Sequence, residues 1–109
     1  MPLRPAAIIL NVSDTDRARR FWSEAVGYAP KAEQPDFLLP PDGDGVRIHL
    51  DRTDRMHLDL WVDHETSDLE TEVERLIALG ATRVDWDYPD DADFVVLADT
   101  EGNLFCVID

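Results

Sequence analysis

With 109 residues, 44% of them hydrophobic, the chain is the size of one compact domain with a real core. Its 24 acidic and 10 basic side chains give a net charge of −14, which offers no cationic footprint for nucleic acid and is repelled by anionic membrane surfaces. No run approaches the roughly 18 apolar residues of a transmembrane helix, and one cysteine, Cys106, excludes an intrachain disulfide and points to a reducing, cytoplasmic compartment.

In chain order, the opening segment "MPLRPAAIILNVSD" lacks the long apolar run and cleavage pattern of a secretory signal. Its stretch "AAIILNVSD" reads as a strand. Ser13 and Asp16 stand in the capping spacing S-x-x-D ahead of a helix predicted over about Thr15 to Val26. Ala18, Phe21, Trp22, Ala25 and Val26 share one stripe of that helix, which assigns Phe21 and Trp22 to the core. Gly27 supplies a left-handed stop. Three short strands follow, about Tyr28–Glu33, Phe37–Leu39 and Val46–Leu50, with the turn "PPDGDG" between the last two.

The second half opens on "RMHLDLWVD", Arg55 to Asp63. Met56, Leu58, Leu60 and Val62 alternate along one face, as in a half-buried strand. The other face reads His57, Asp59, Trp61, which is no ordinary solvent face. His64 is expected as a solvated loop residue. Ser67 and Glu70 give the spacing S-x-x-E before a second helix, about Asp68 to Leu79, with Leu69, Val73, Leu76 and Ile77 on its stripe and Gly80 at its end. Strands over about Thr82–Asp85, Phe94–Ala98 and Asn103–Ile108 complete the chain. Between the first two lies the acidic loop "DWDYPDDAD", where Trp86 and Tyr88 either pack or cap a cavity. The loop has neither the spacing nor the turn glycine of an EF-hand.

The two halves repeat. "AAIILNVSD" and "MHLDLWVDH" align at an offset of 50, which puts Ala7 on His57, Leu10 on Leu60 and Val12 on Val62. The closing strands "GVRIHLD" and "GNLFCVI" align at an offset of 57, which puts Ile48 on Phe105, His49 on Cys106 and Leu50 on Val107. The expected fold is therefore α+β, a single domain of two βαβββ modules, about 1–54 and 55–109. Their strands form a curved mixed sheet around a central cavity, with the helices outside. Ala7, His49, His57 and Cys106 then converge on that cavity.

His57 is the leading candidate residue, as ligand contact, general base or metal ligand, because an imidazole suits proton transfer near neutral pH. Asp59, two residues on, projects from the same face about 6.5–7 Å along the strand. It would serve as the acid/base partner of His57, as a ligand anchor, or as the ion-pair partner of Arg47 or Arg55. Trp61 extends that face as a flat wall that a cavity or a subunit interface should cover. Ile9 and Asn11 line the matching face of the first strand. His49, His57 and Cys106 with a water would make a three-ligand zinc arrangement. Cys106, within "LFCVI", equally suits a small buried hydrophobe. No dinucleotide fingerprint, phosphate loop, Cys-x-x-Cys pair or nucleophile elbow occurs.

Four segments, "NVSDTDRARRFWSEAVGY", "MHLDLWVD", "LIALGATRV" and "VVLADTEGNLFCVID", carry a resemblance that spans nearly the whole chain. On them the chain resembles the vicinal oxygen chelate superfamily, and more narrowly its glyoxalase-like domain proteins of the glyoxalase, bleomycin resistance and dioxygenase type. The resemblance implies that metal ligands, mostly His and Glu, come from the first and last strands of each module. Here those positions are Ala7, His49 (or Arg47 one pleat away), His57 and Cys106. Ala7 cannot ligate and Cys106 stands where a Glu is expected, so the implied set is incomplete. The expected function is small-molecule binding without a cofactor, through Asn11, Arg47, His49, Trp61 and Cys106 beside His57 and Asp59. One alternative is a lyase- or isomerase-type enzyme with His57 and Asp59 as catalytic residues, and with zinc, nickel or manganese on His57, His49 and Cys106. The other is a dimerising interaction domain without a ligand; a homodimer is the expected assembly.

Overall fold

The computed structural model describes residues 2–109. The first half runs β1 (Leu3–Asn11), α1 (Thr15–Val26), β2 (Ala29–Lys31), β3 (Gln34–Leu39), β4 (Arg47–Asp51). The second runs β5 (His57–Val62), α2 (Leu69–Ala78), β6 (Thr82–Arg83), β7 (Phe94–Ala98), β8 (Leu104–Ile108). The doubled βαβββ order is the one the patterning predicts, and the class is α+β with parallel and antiparallel pairs. Two compact units result: Ala6 to Met56, called module one, and His57 to Asp109 together with the first residues through Pro5, called module two. Among the described residues no helix is long and apolar enough to cross a membrane.

The repeat reaches down to hydrogen-bond register. In module one, β1 runs parallel to β4 with Ile8 beside Ile48, Ile9 beside His49 and Leu10 beside Leu50. In module two, β5 runs parallel to β8 with Leu58 beside Phe105, Asp59 beside Cys106 and Leu60 beside Val107. Adding the two sequence offsets to each pair of the first set reproduces the second.

Module one has the strand order β2-β3-β4-β1, with β3 antiparallel to β2 and to β4. Leu38 and Leu50 are fully buried. The N-cap of α1 is Asp14, whose carboxylate accepts the Arg17 N–H at 3.0 Å. Ser13 was the expected cap. Its hydroxyl instead faces the Arg17 side chain, because an ionised carboxylate is the stronger acceptor for the first-turn N–H groups. The expectation that Phe21 is core is also corrected: it is 62% exposed, and α1 has no fully buried residue. α1 also meets the sheet through Arg19. Its guanidinium reaches Asp36 at 2.9 Å and the Pro35 carbonyl at 3.1 Å, both at β3, so the helix is held to the sheet through an ion pair. Phe21 lies edge-on to the half-buried Trp22, 5.2 Å between centroids.

Module two has the order β5-β8-β7-β6, with the first residues of β1 beside β5. There the Asp63 N–H donates to the Pro2 carbonyl at 2.8 Å. The N-cap of α2 is Asp68, which accepts the Thr71 N–H at 2.8 Å. Ser67, the expected cap, donates its hydroxyl to Glu72 at 2.6 Å instead. Glu72 is 2% exposed and also accepts from Arg75 at 2.9 Å. At the other end, Gly80 donates to Ile77 and Ala81 to Leu76, each at 3.0 Å, a paired closure of the last turn. Gly80 has φ 118, and a Cβ there would lie 2.9 Å from the Thr100 methyl, so any side chain at this position is strained. The core joins Val73 of α2 to Val62, Leu97 and Val107, with Leu76 and Phe105 against them. Met56, the first of the alternating apolar residues, precedes β5 and is 66% exposed.

Candidate functional site

Side chains alternate across a strand. Since Val62 and Val107 turn toward α2, the odd-numbered residues of β5 and the even-numbered ones of β8 occupy the opposite face. His57, Asp59 and Trp61 therefore share a face with Cys106, which the register sets directly beside Asp59. His57 Nε2 lies 3.2 Å from Asp59 Oδ1, and these side chains are only 8% and 16% exposed. One nitrogen of His57, one carboxylate oxygen of Asp59 and Cys106 Sγ all lie within 4.8 Å of one another. The imidazole thus joins two groups that are anionic when ionised, on a mostly covered face.

Trp61 continues this face. Arg4, from the first residues of β1, places its guanidinium carbon 5.1 Å from the centre of the indole ring, a cation–π contact. Sequence reasoning missed Arg4, because no periodicity links it to Trp61; only the β1–β5 pairing does. Farther along, His64 Nε2 sits 3.2 Å from Asp109 Oδ1 with its side chain 57% exposed, in keeping with a solvated position. Tyr88 takes the packing role: its hydroxyl accepts the Val96 N–H at 2.7 Å and its ring tilts against Phe94. Trp86 is 39% exposed.

The remaining expected site residues lie in module one. His49 stacks on Phe37 with ring centres 4.0 Å apart and planes 8° from parallel. Arg47 pairs in register with Ala7, and Asn11 with Asp51. The Asn11 amide donates to the Asp54 carbonyl, and its side chain borders a cleft of about 440 Å³ with Arg17 and Phe21. Asp51 organises the turn after β4. Its carboxyl is held below the usual range chiefly by the Thr53 N–H at 2.8 Å, with the Asp54 N–H adding to it at 3.0 Å. The metal set expected from sequence was His57, His49 and Cys106. The group within ligating distance in module two has Asp59 beside His57 and Cys106.

Comparison with known proteins places this architecture. Residues 7–108 match the family profile described as glyoxalase-like domain. A methylmalonyl-CoA epimerase from Mycobacterium tuberculosis is similar in structure, with TM-score 0.63 and 20% identity over 95% of this chain and 85% of its own. A protein described as an NAD-dependent benzaldehyde dehydrogenase from Legionella pneumophila gives TM-score 0.65 and 13% identity over 94% of this chain and 96% of its own. At such identities the likeness is one of fold. No curated protein matches the sequence.

Proposed function

The chain belongs to the glyoxalase-like domain family, and from that premise we propose that it binds a small molecule on the β5–β8 face of module two, with His57 and Asp59 as the polar handle. The observation that carries this reading is the His57–Asp59 contact at 3.2 Å on side chains that are 8% and 16% exposed. A nearly covered imidazole–carboxylate pair is costly to desolvate, and a few convergent polar groups beside an aromatic wall are what a ligand site needs. Trp61 is that wall. The same contact favours a catalytic reading second: a carboxylate that orients an imidazole prepares it to take a proton from a bound substrate.

The family's metal chemistry can be tested on the donor set. An imidazole nitrogen, a carboxylate oxygen and a thiol within 4.8 Å of one another are three ligands of types zinc accepts. His57, Asp59 and Cys106 would hold a divalent cation, which when bound polarises a ligand oxygen.

A thermal-shift screen of small carbonyl compounds, carboxylic acids and cationic natural products, followed by titration of Trp61 fluorescence against a Trp61→Phe control, tests the binding reading. A hit should lose at least tenfold in affinity in His57→Ala and in Asp59→Asn. Equal binding by both variants would overturn the assignment of this face.

A further inference from the structure

We propose that the outer face of α1 in one copy of this chain binds the acidic β6–β7 loop of a second copy. The contact goes beyond the proposed function and does not depend on it: His57, Asp59 and Cys106 take no part.

Helix periodicity supplies the receiving face. Arg17, Arg20, Phe21 and Glu24 recur at i, i+3, i+4 and i+7, and all four are exposed. They lie across the helix from Arg19, the residue that ties α1 to β3. Beside this stripe runs the cleft of about 440 Å³, apolar at Val12, Ala18 and Phe21 and cationic at Arg17. The Arg17 guanidinium is only 4.0 Å from Asp14, with side chains 70% and 50% exposed, an arrangement in which an ion pair holds little. The Asp14 carboxylate is already engaged by the Arg17 N–H. Arg20 makes no ion pair among the described residues. An apolar slot edged by guanidinium groups suits an aromatic side chain set among carboxylates, and Trp and Arg are the side chains that most often anchor interfaces.

The same chain carries that counterpart. Asp85, Asp87, Asp90, Asp91 and Asp93 are exposed between β6 and β7, with no basic residue among them. Trp86 stands in their midst, 39% exposed. Tyr88 is fixed by the Val96 N–H at 2.7 Å and by Phe94, which leaves Trp86 as the anchor. Charge selects the pairing. Module two keeps only Arg4, Arg75 and Arg83 of the chain's ten basic residues, so two copies of module two repel. α1 alone carries Arg17, Arg19 and Arg20, and helix against loop is the complementary meeting. Two copies that exchange the contact reciprocally close a two-fold dimer. One helix face against one loop lies at the small end of interface sizes, so the association is weak and dilute protein is monomeric.

Sedimentation velocity on the full chain, over a concentration series at low and high salt, tests this. Wild type should associate as concentration rises, and less so in high salt. Arg17→Glu combined with Arg20→Glu should weaken association about tenfold or more, and so should Asp87→Lys combined with Asp90→Lys. All four positions are exposed, and circular dichroism should show both variants folded. The decisive variant carries all four reversals in one chain: it should associate with itself as wild type does, yet not with wild type. Association that the reversals leave unchanged would overturn the proposal, as would a fourfold variant that stays monomeric. A wild type that is monomeric throughout would overturn it too. If such a monomer bound a free acidic, tryptophan-bearing peptide through Arg17 and Arg20, the face would belong to another protein rather than to a second copy.

Discussion

Where module one carries Ala7, Ile9 and His49, module two carries His57, Asp59 and Cys106, at the same places in the same parallel register. The backbone repeat is therefore kept while the side chains on one face have diverged. Module one fills the first strand with apolar residues, Ala7 and Ile9 both buried, and leaves its histidine stacked on Phe37. Module two collects donors. The helices diverge in a parallel way. α1 is tied to its sheet through Arg19 and Asp36 near the surface, whereas α2 buries Val73 and Glu72. A shared register fixes where side chains meet and leaves open what they do there.

The contrast can be broken at its strongest point first. Glu72→Ala removes the carboxylate that holds Ser67 and Arg75 and leaves part of a charged network unpaired, which should cost about 3 kcal/mol in denaturant unfolding. Next come the two helix-ending glycines. Gly80→Ala meets the Thr100 methyl at an unfavourable φ and should cost about 2–3 kcal/mol. Gly27→Ala, at φ 73 with open space around it, should cost only about 1 kcal/mol. Equal losses at the two sites would mean the Thr100 contact is irrelevant. Val73→Ala should cost about 2 kcal/mol through lost burial and the cavity left behind, against under about 1 kcal/mol for the exposed Phe21→Ala. A larger loss at Phe21 would show that α1 has a covered face in solution.

The smallest expected effect is in acid. Burial pushes the Glu72 carboxyl up, but the Ser67 hydroxyl and the Arg75 guanidinium outweigh it, so its folded pKa lies below its ordinary value. The stabilisation is then complete above the ordinary carboxylate range and is lost as pH falls through the lowered folded value. This contribution to the thermal midpoint should accordingly be lost in acid, and Glu72→Gln should flatten part of the acid decline. An unchanged slope in that variant would assign acid sensitivity to other carboxylates, with Asp51 the next candidate.

Much of the architecture is legible in the residues. The 3.6-residue stripes and glycine stops give both helices, and the two offsets give the doubled module. Three features resist such reading for physical reasons. Periodicity tells which residues share a helix face but not whether anything covers it, so Phe21 reads as core and stands exposed. Ser13 and Asp14, like Ser67 and Asp68, are adjacent capping candidates, and the choice turns on the strength of the acceptor and on the pull of Glu72 on Ser67. Asp59 can be placed beside His57 from strand alternation alone, but its approach to Cys106 depends on which residue of β8 lies across from it. That is a property of strand pairing, which a single strand's pattern does not contain.

β1 crosses the boundary between the units, giving its first residues through Pro5 to module two and the rest to module one. This has a consequence for the order of assembly. Module one is contiguous and can close all its pairings as soon as it leaves the ribosome. Module two must bring Pro2 to Asp63, a span longer than the whole of module one. The entropy of closing such a loop grows only slowly with length, but pairings between distant residues form late. The β5 flank that carries His57 and Asp59 is thus expected to be the last to gain its neighbour. Pulse-labelled hydrogen exchange during refolding would then find the Asp63 amide among the last to become protected.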